Sequence, residues 1–247
     1  MHPDDALLAK VRKLLAKAED PAATPAEAET YTAKASALIA EYGIDQALLA
    51  QHDPERDPVT NRKIRLDAPY AADKADLLGT VALALRCTAV RLREYDVAGR
   101  QVSLHLFGHA SDLHRVEVLF TSLLMQSTLQ MTATPVPTHE HAAAFRRSWL
   151  AGFTRAVGQR LRQAEERAAR DQEQRFAEAG TSAAVVLADR SSEVEAALRE
   201  EYPALGFSRP RRLSGSGGGQ GWAAGQRADL GGRSFARGRR ALPGRVS

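Results

Sequence analysis

Four side chains able to hold a metal or move a proton, His105, His109, Asp112 and His114, fall within ten positions of the chain. Two imidazoles and a carboxylate around a divalent ion that keeps one position open for water would suit a hydrolase or nuclease. The spacing argues otherwise. His105 alternates away from Val102, Leu104 and Leu106, and His109 and His114 are five apart, a separation that stacks side chains on neither a strand nor a helix. No HExxH signature occurs. The residues therefore read as surface and capping histidines, with no metal and no cofactor expected. A metal-dependent hydrolase or nuclease built on these four is the alternative. His139-Glu140-His141, just after Pro135-Val136-Pro137, reads as a solvated helix start.

A nucleophile is harder to find. There is no Gly-x-Ser-x-Gly elbow, and the single cysteine, Cys87, stands beside Arg86 at the start of an expected strand. A nearby guanidinium can lower a thiol pKa, but a lone cysteine in that position is ordinarily a small buried hydrophobe. One cysteine also excludes an intramolecular disulfide and any zinc site made of cysteines. The run Ser214-Gly215-Ser216-Gly217-Gly218-Gly219-Gln220-Gly221 has the small residues of a phosphate-cradling loop but lacks the Gly-Lys-Ser/Thr ending. It reads as a flexible linker into a short helix between Trp222 and Gly231, with Trp222 and Leu230 as anchors.

The charge is split along the chain. Residues 206–247 hold nine arginines, Arg209, Arg211, Arg212, Arg227, Arg233, Arg237, Arg239, Arg240 and Arg245, against one acid, Asp229. That local charge of +8 within a net +4 leaves −4 on the other 205 residues. A basic arm on an acidic body suits DNA or RNA, bound through phosphates. Arg155 and Arg162, one heptad apart on an expected long helix, can join it, although pairing with Glu165 and Glu166 on a solvated face is the simpler reading for each alone. No run approaches the roughly 20 apolar residues that cross a bilayer. Acids at Asp4 and Asp5 stand where a secretory signal carries basic residues, so a cytoplasmic protein with no membrane partner is expected.

The elements that would position these residues follow from apolar periodicity. Leu7, Leu8, Val11, Leu14 and Leu15 predict a helix over about 4–18. Thr24-Pro25-Ala26-Glu27 predicts the start of a second, which Gly43 is expected to end, with Ile44, Leu48 and Leu49 folding back as a short third. Asp53-Pro54-Glu55-Arg56-Asp57-Pro58 reads as a linker. Leu77, Leu78, Val81 and Leu85 predict a helix over about 72–86. Val90/Leu92 and Val102/Leu104/Leu106 predict a β-hairpin turning at Asp96-Val97-Ala98-Gly99-Arg100, with all five residues facing the core. Leu113, Val116, Phe120, Leu123 and Leu124 mark the next helix, and Leu150, Phe153, Val157 and Leu161 the long one. Gln163 to Glu178 reads as solvent-facing, Val185-Val186-Leu187 as a short buried strand, and residues 192–201 as an amphipathic piece ended by Pro203.

The opening pair of helices, with KVRKLL over Lys10–Leu15, the Ala-rich stretch Glu27–Ala40 and the close Glu41-Tyr42-Gly43-Ile44, resembles the domain-of-unknown-function 2786 family over about residues 6–46. Ala82–Val90 with Arg86-Cys87, then Phe107-Gly108, Ser111-Asp112 and Arg147-Ser148-Trp149 to Phe153, is similar to the second domain that often accompanies it. The resemblance implies an architecture found in actinobacterial and phage proteins. It carries no established activity and no catalytic residues.

The sequence thus reads as a predominantly helical α+β protein: a helical hairpin domain over 1–52, an α-β-β-α core with a long helix over 62–205, and an Arg/Gly-rich tail over 206–247. The expected role is non-enzymatic, a nucleic-acid-associated accessory protein whose N-terminal hairpin docks a protein partner. A purely protein-binding module is a further alternative.

Overall fold

The computed structural model describes residues 25–51, 53–96, 99–206, 211–228 and 230. The helix expected over 4–18 and the Thr24 cap lie outside them, as do Arg209, Arg233, Arg237, Arg239, Arg240 and Arg245. Within the described residues the protein is predominantly helical, with one small antiparallel sheet. Helix α1 spans Pro25–Ala50, and a single 3-10 turn, Pro54–Arg56, leads to strand β1, Val59–Leu66. Helix α2 (Ala71–Ala84), strands β2 (Thr88–Asp96) and β3 (Gly99–His109) and helix α3 (Ala110–Ala133) form the expected α-β-β-α unit. Helix α4 (Ala142–Asp171), the short α5 (Glu173–Glu178), α6 (Ala183–Glu201) and α7 (Gly218–Arg227) complete it.

The sheet order is β1-β3-β2, with β3 paired on both sides. Register decides which residues share a face. Leu104 lies opposite Ile64 on one side and Arg91 on the other, and Leu106 lies opposite Ala89. Directly opposed residues point the same way, so Val102, Leu104, Leu106, Ala89 and Leu66 form the face that α2 and α3 cover, with α4 packed outside α2. Their core also takes in Leu77, Val81, Val116, Phe120, Trp149 and Phe153. Val90 and Leu92 are opposite His105 and Ser103, on the other face, and are only half-buried. The expectation that they join the main core is therefore corrected. Arg91 takes the inward phase because its guanidinium is bound by Asp76 of α2 at the sheet edge. The second face is covered by α6 and by Tyr202, which meets the rings of His105 and Phe107 edge-on.

Three local expectations also change. Gly43 does not end α1, which runs unbroken to Ala50. A Cβ there would lie 2.0 Å from Nη1 of Arg115, so the glycine admits a side chain instead of closing a helix. Val185-Val186-Leu187 is helical: Ser182 caps α6 by accepting from the Val185 N–H at 3.3 Å, and Val186 is buried while Val185 is exposed. The stretch after Gln163 is not wholly solvated either. Ala168 and Phe176 are buried with Ala40, Ile44, Ala47, Ala183 and Val186 in a satellite core under the second half of α1.

Candidate functional site

At the end of α2 the chain makes a turn that normally calls for glycine. Cys87 N–H donates to the Ala82 carbonyl at 2.9 Å and Arg86 N–H to that of Leu83 at 3.4 Å, the paired bonds of a Schellman closure. Arg86 occupies the left-handed position with φ 62°. A non-glycine residue there carries a cost of roughly 1–2 kcal/mol, and its side chain supplies the offset. Nη1 of Arg86 lies 2.5 Å from Glu165 Oε2 and Nη2 lies 3.4 Å from Asp112 Oδ1.

Those contacts belong to a buried ionic cluster. Arg115 donates to Asp112 Oδ1 at 2.7 Å and to Glu165 Oε1. Arg190 Nη2 reaches Asp112 Oδ2 at 3.2 Å and Asp57 Oδ2 at 2.8 Å. Asp57 also accepts from the Ser111 N–H at 2.8 Å and the Ser111 hydroxyl at 2.7 Å. Three guanidinium groups thus meet three carboxylates, contributed by the segment before β1, the α2 closure, α3, α4 and α6. Burial alone would raise the Asp112 carboxyl, but Arg86, Arg115 and Arg190 together outweigh it and hold the group below the usual range. For Arg86, burial works against the charge, yet Asp112 and Glu165 carry its pKa above the ordinary value.

None of Asp57, Arg115, Glu165 and Arg190 was singled out from sequence as a member of such a cluster. A signal existed. Arg115 falls in phase with Asp112, Leu119 and Leu123, Glu165 is one turn past Leu161, and Arg190 stands midway between Val186 and Val194, all buried. A charge in phase with an apolar stripe marks a charge that must be paired inside.

The sequence-predicted candidates are dispersed. His105 is buried, with Nδ1 2.7 Å from the Tyr202 hydroxyl, and its ring lies 4.4 Å from that of Phe107. His109 is buried, with Nδ1 2.7 Å from the Asp57 carbonyl oxygen. Asp112 is committed to the arginines, and His114 is exposed. Among the described residues no three of His, Cys, Asp and Glu gather closely enough to hold a metal ion. Cys87 is buried, and burial, reinforced by Asp112, pushes its thiol well up against the opposing pull of Arg115, Arg86 and Arg190. The neighbouring Arg86 therefore does not make it a thiolate.

The arginine candidates divide. Arg211 is bound by Asp73 at 2.8 Å and by Asp76, so it clasps α2. Arg155 is exposed and sits 5.6 Å from the ring centroid of Trp222. Arg162, Arg212 and Arg227 are exposed. Glu165 does not pair with Arg155 or Arg162, because Arg86 and Arg115 take it.

The glycine run, read from sequence as a linker, leads into α7 and forms its first turn, and Gly217, Gly221 and Gly225 face α4. A Cβ on Gly217 would meet the Phe145 carbonyl oxygen at 2.5 Å, on Gly221 that of Trp149 at 1.8 Å, and on Gly225 that of Phe153 at 2.6 Å. The spacing of four puts the three on one helix face, where the missing side chains let two backbones touch. Arg160 donates to the Gly225 carbonyl at 3.0 Å and to that of Ala228, satisfying the last turn of α7. Leu230 is buried in the main core, as expected for an anchor, while Trp222 is half-buried.

Residues 6–46 match the family described as Protein of unknown function (DUF2786). The match stops before the Asp53 segment and does not extend to the second domain that the resemblance implied. No curated protein and no solved structure matches the chain. No described helix is long and apolar enough to cross a membrane.

Proposed function

We propose that this is a nucleic-acid-associated accessory protein that contacts phosphates, without base recognition, through the arginine-rich C-terminal segment and the adjoining face of α4. The observation that carries the reading is the seating of α7 on α4. It brings Trp222 of α7 under Arg155, so one candidate of α4 lies against the helix that carries Arg227. Arg155, Arg162, Arg212 and Arg227 are the described members, and Arg209, Arg233, Arg237, Arg239, Arg240 and Arg245 the remainder. Arg211 is withdrawn from the set by Asp73 and Asp76. A protein partner at the N-terminal segment belongs to the same proposal. The metal-dependent alternative draws no support from the geometry, since His105, His109 and Asp112 are each turned to a different partner.

Salt dependence tests the reading. Each duplex phosphate neutralised contributes about −0.9 to the slope of log affinity against log salt, so four or five engaged arginines give a slope of about −4. Deleting residues 206–247 would remove Ala224, Ala228 and Leu230 from the core, so charge-neutralising variants are the cleaner probe. Replacing Arg233, Arg237, Arg239 and Arg240 by Gln should weaken binding to labelled duplexes of unrelated sequence alike and flatten the slope. Unchanged affinity and slope would reject the C-terminal segment as the binding element.

A further inference from the structure

A cavity of about 340 Å³ opens in the groove between α2 and α4, within the range of roughly 300–1,000 Å³ found for ligand pockets. Asp73, Asp76 and Thr80 of α2 line one wall, and Thr154, Arg155 and Arg162 of α4 the other. The two helices meet at Gly158, where a Cβ would lie 2.4 Å from the Thr80 methyl and 3.5 Å from Nη1 of Arg162. The Arg162 guanidinium therefore folds back along α4 to the level of Thr80, the direction in which long helical side chains lie.

The hydroxyls on these walls are free. Thr121, Thr128 and Thr132 of α3 each donate to a backbone carbonyl one turn back, which is the usual use of a threonine inside a helix. Thr80 and Thr154 make no hydrogen bond among the described residues. Thr154 is only 8 % exposed, yet its oxygen is not sealed in, so what access the residue keeps is on the cavity side. The charge left over is positive. Asp73 and Asp76 are matched by Arg211 and Arg91, Glu165 is taken by Arg86 and Arg115, and no ion pair among the described residues holds Arg155 or Arg162. Two guanidinium groups, which only donate, and two hydroxyls free to donate thus line one cavity. A phosphate monoester matches them, with about −1.5 to −2 charge at neutral pH and three strong acceptor oxygens.

We propose that the pocket between α2 and α4 binds a phosphate monoester, whose oxygens accept from Arg155, Arg162 and the hydroxyls of Thr80 and Thr154. The inference shares Arg155 and Arg162 with the reading above and deepens it, from phosphate contact along a surface to one seated phosphate. The group arrives as free phosphate or as the end of a nucleic-acid strand, and only the second source rests on that reading.

Titration of the full chain with inorganic phosphate at low salt, followed by phosphorus NMR, should show saturable binding. Arg162→Gln, at an exposed position, should weaken it about tenfold, and Thr154→Val, which removes the hydroxyl at nearly constant volume, about fivefold, with unfolding temperatures unchanged. Arg170→Gln, an equal loss of charge at the far end of α4, should leave the affinity as it was. Two single strands of one sequence, with and without a terminal phosphate, separate the sources: tighter binding of the phosphorylated strand, lost in Thr154→Val, places the strand end in the pocket, and equal binding assigns the pocket to free phosphate. Absence of saturable phosphate binding overturns the proposal. Full affinity in Arg162→Gln or Thr154→Val, or a loss in Arg170→Gln as large as that in Arg162→Gln, overturns it as well. Failure of both strands to bind removes the nucleic-acid reading alone, since the pocket stands on the phosphate titration.

Discussion

Two helices reach the body of this protein through glycine, and they do so for opposite physical reasons. At Gly43 the missing side chain of α1 makes room for a guanidinium, and the helix closes over an ionic cluster. At Gly217, Gly221 and Gly225 the missing side chains let the backbone of α7 touch that of α4. One junction draws its specificity from charges that must be paired once buried, the other from close packing that tolerates no extra atom. The comparison teaches that a glycine inside a helix is informative about what lies opposite it.

The ionic junction should be the more fragile to loss of a partner. Asp112→Ala leaves Arg86, Arg115 and Arg190 short of a shared carboxylate, and chemical denaturation should register a loss of about 3–5 kcal/mol. Its pH dependence has a definite sign. The folded-state pKa of Asp112 is depressed, so its contribution is complete above the unfolded value of about 3.9 and disappears as pH falls through the lower folded value. The acid limb of the stability curve should therefore be shallower in Asp112→Asn than in the parent chain. A variant with parental stability would remove the distinction between the two junctions.

At the close-packed junction the corresponding change adds an atom. Gly221→Ala places a Cβ 1.8 Å from a backbone carbonyl oxygen that cannot rotate away, and should cost about 1–3 kcal/mol or undock α7, seen as a change in tryptophan fluorescence. Gly219→Ala, on the same helix, meets nothing within 4 Å and gains up to about 1 kcal/mol of helix propensity. Equal melting temperatures for the two variants would show that the seam is not close-packed.

Gly43→Ala should be milder than Gly221→Ala, because the first atoms it meets belong to the Arg115 side chain and helix propensity returns up to about 1 kcal/mol. A net loss near 1 kcal/mol by urea titration is expected. The smallest effect should come from Arg160→Met, which keeps the aliphatic stem but withdraws the donors from the Gly225 and Ala228 carbonyls. Hydrogen exchange at the last turn of α7 should speed up, with a global cost of about 0.5–1.5 kcal/mol.

The α-β-β-α order was legible because Leu77, Val81, Leu104, Leu106, Val116 and Phe120 keep the period of their own elements and share one core. Strand β1 was not legible, since between Val59 and Ile64 it runs through Thr60, Asn61, Arg62 and Lys63 with no apolar residue, and it lies at the sheet edge. Val90 and Leu92 were placed on the wrong face because a two-faced sheet offers apolar cover on both sides, and alternation alone does not say which side holds the larger core. The dispersal of His105, His109, Asp112 and His114 was likewise beyond local reading, for Tyr202, Asp57 and Arg190, the partners of the first three, lie up to 97 positions away.

What the sequence determined by itself is what short-range physics encodes: helix and strand periods, the β2–β3 hairpin, and the concentration of positive charge after residue 206. The tertiary structure decided which polar groups are partners and what each glycine is for. Burial, and with it the cost of an unpaired charge or an intruding Cβ, is a property of the packed chain. Gly43 reads as a helix end until Arg115 is found beneath it, and Asp112 stays a ligand of the alternative, metal-dependent reading until three arginines are found around it.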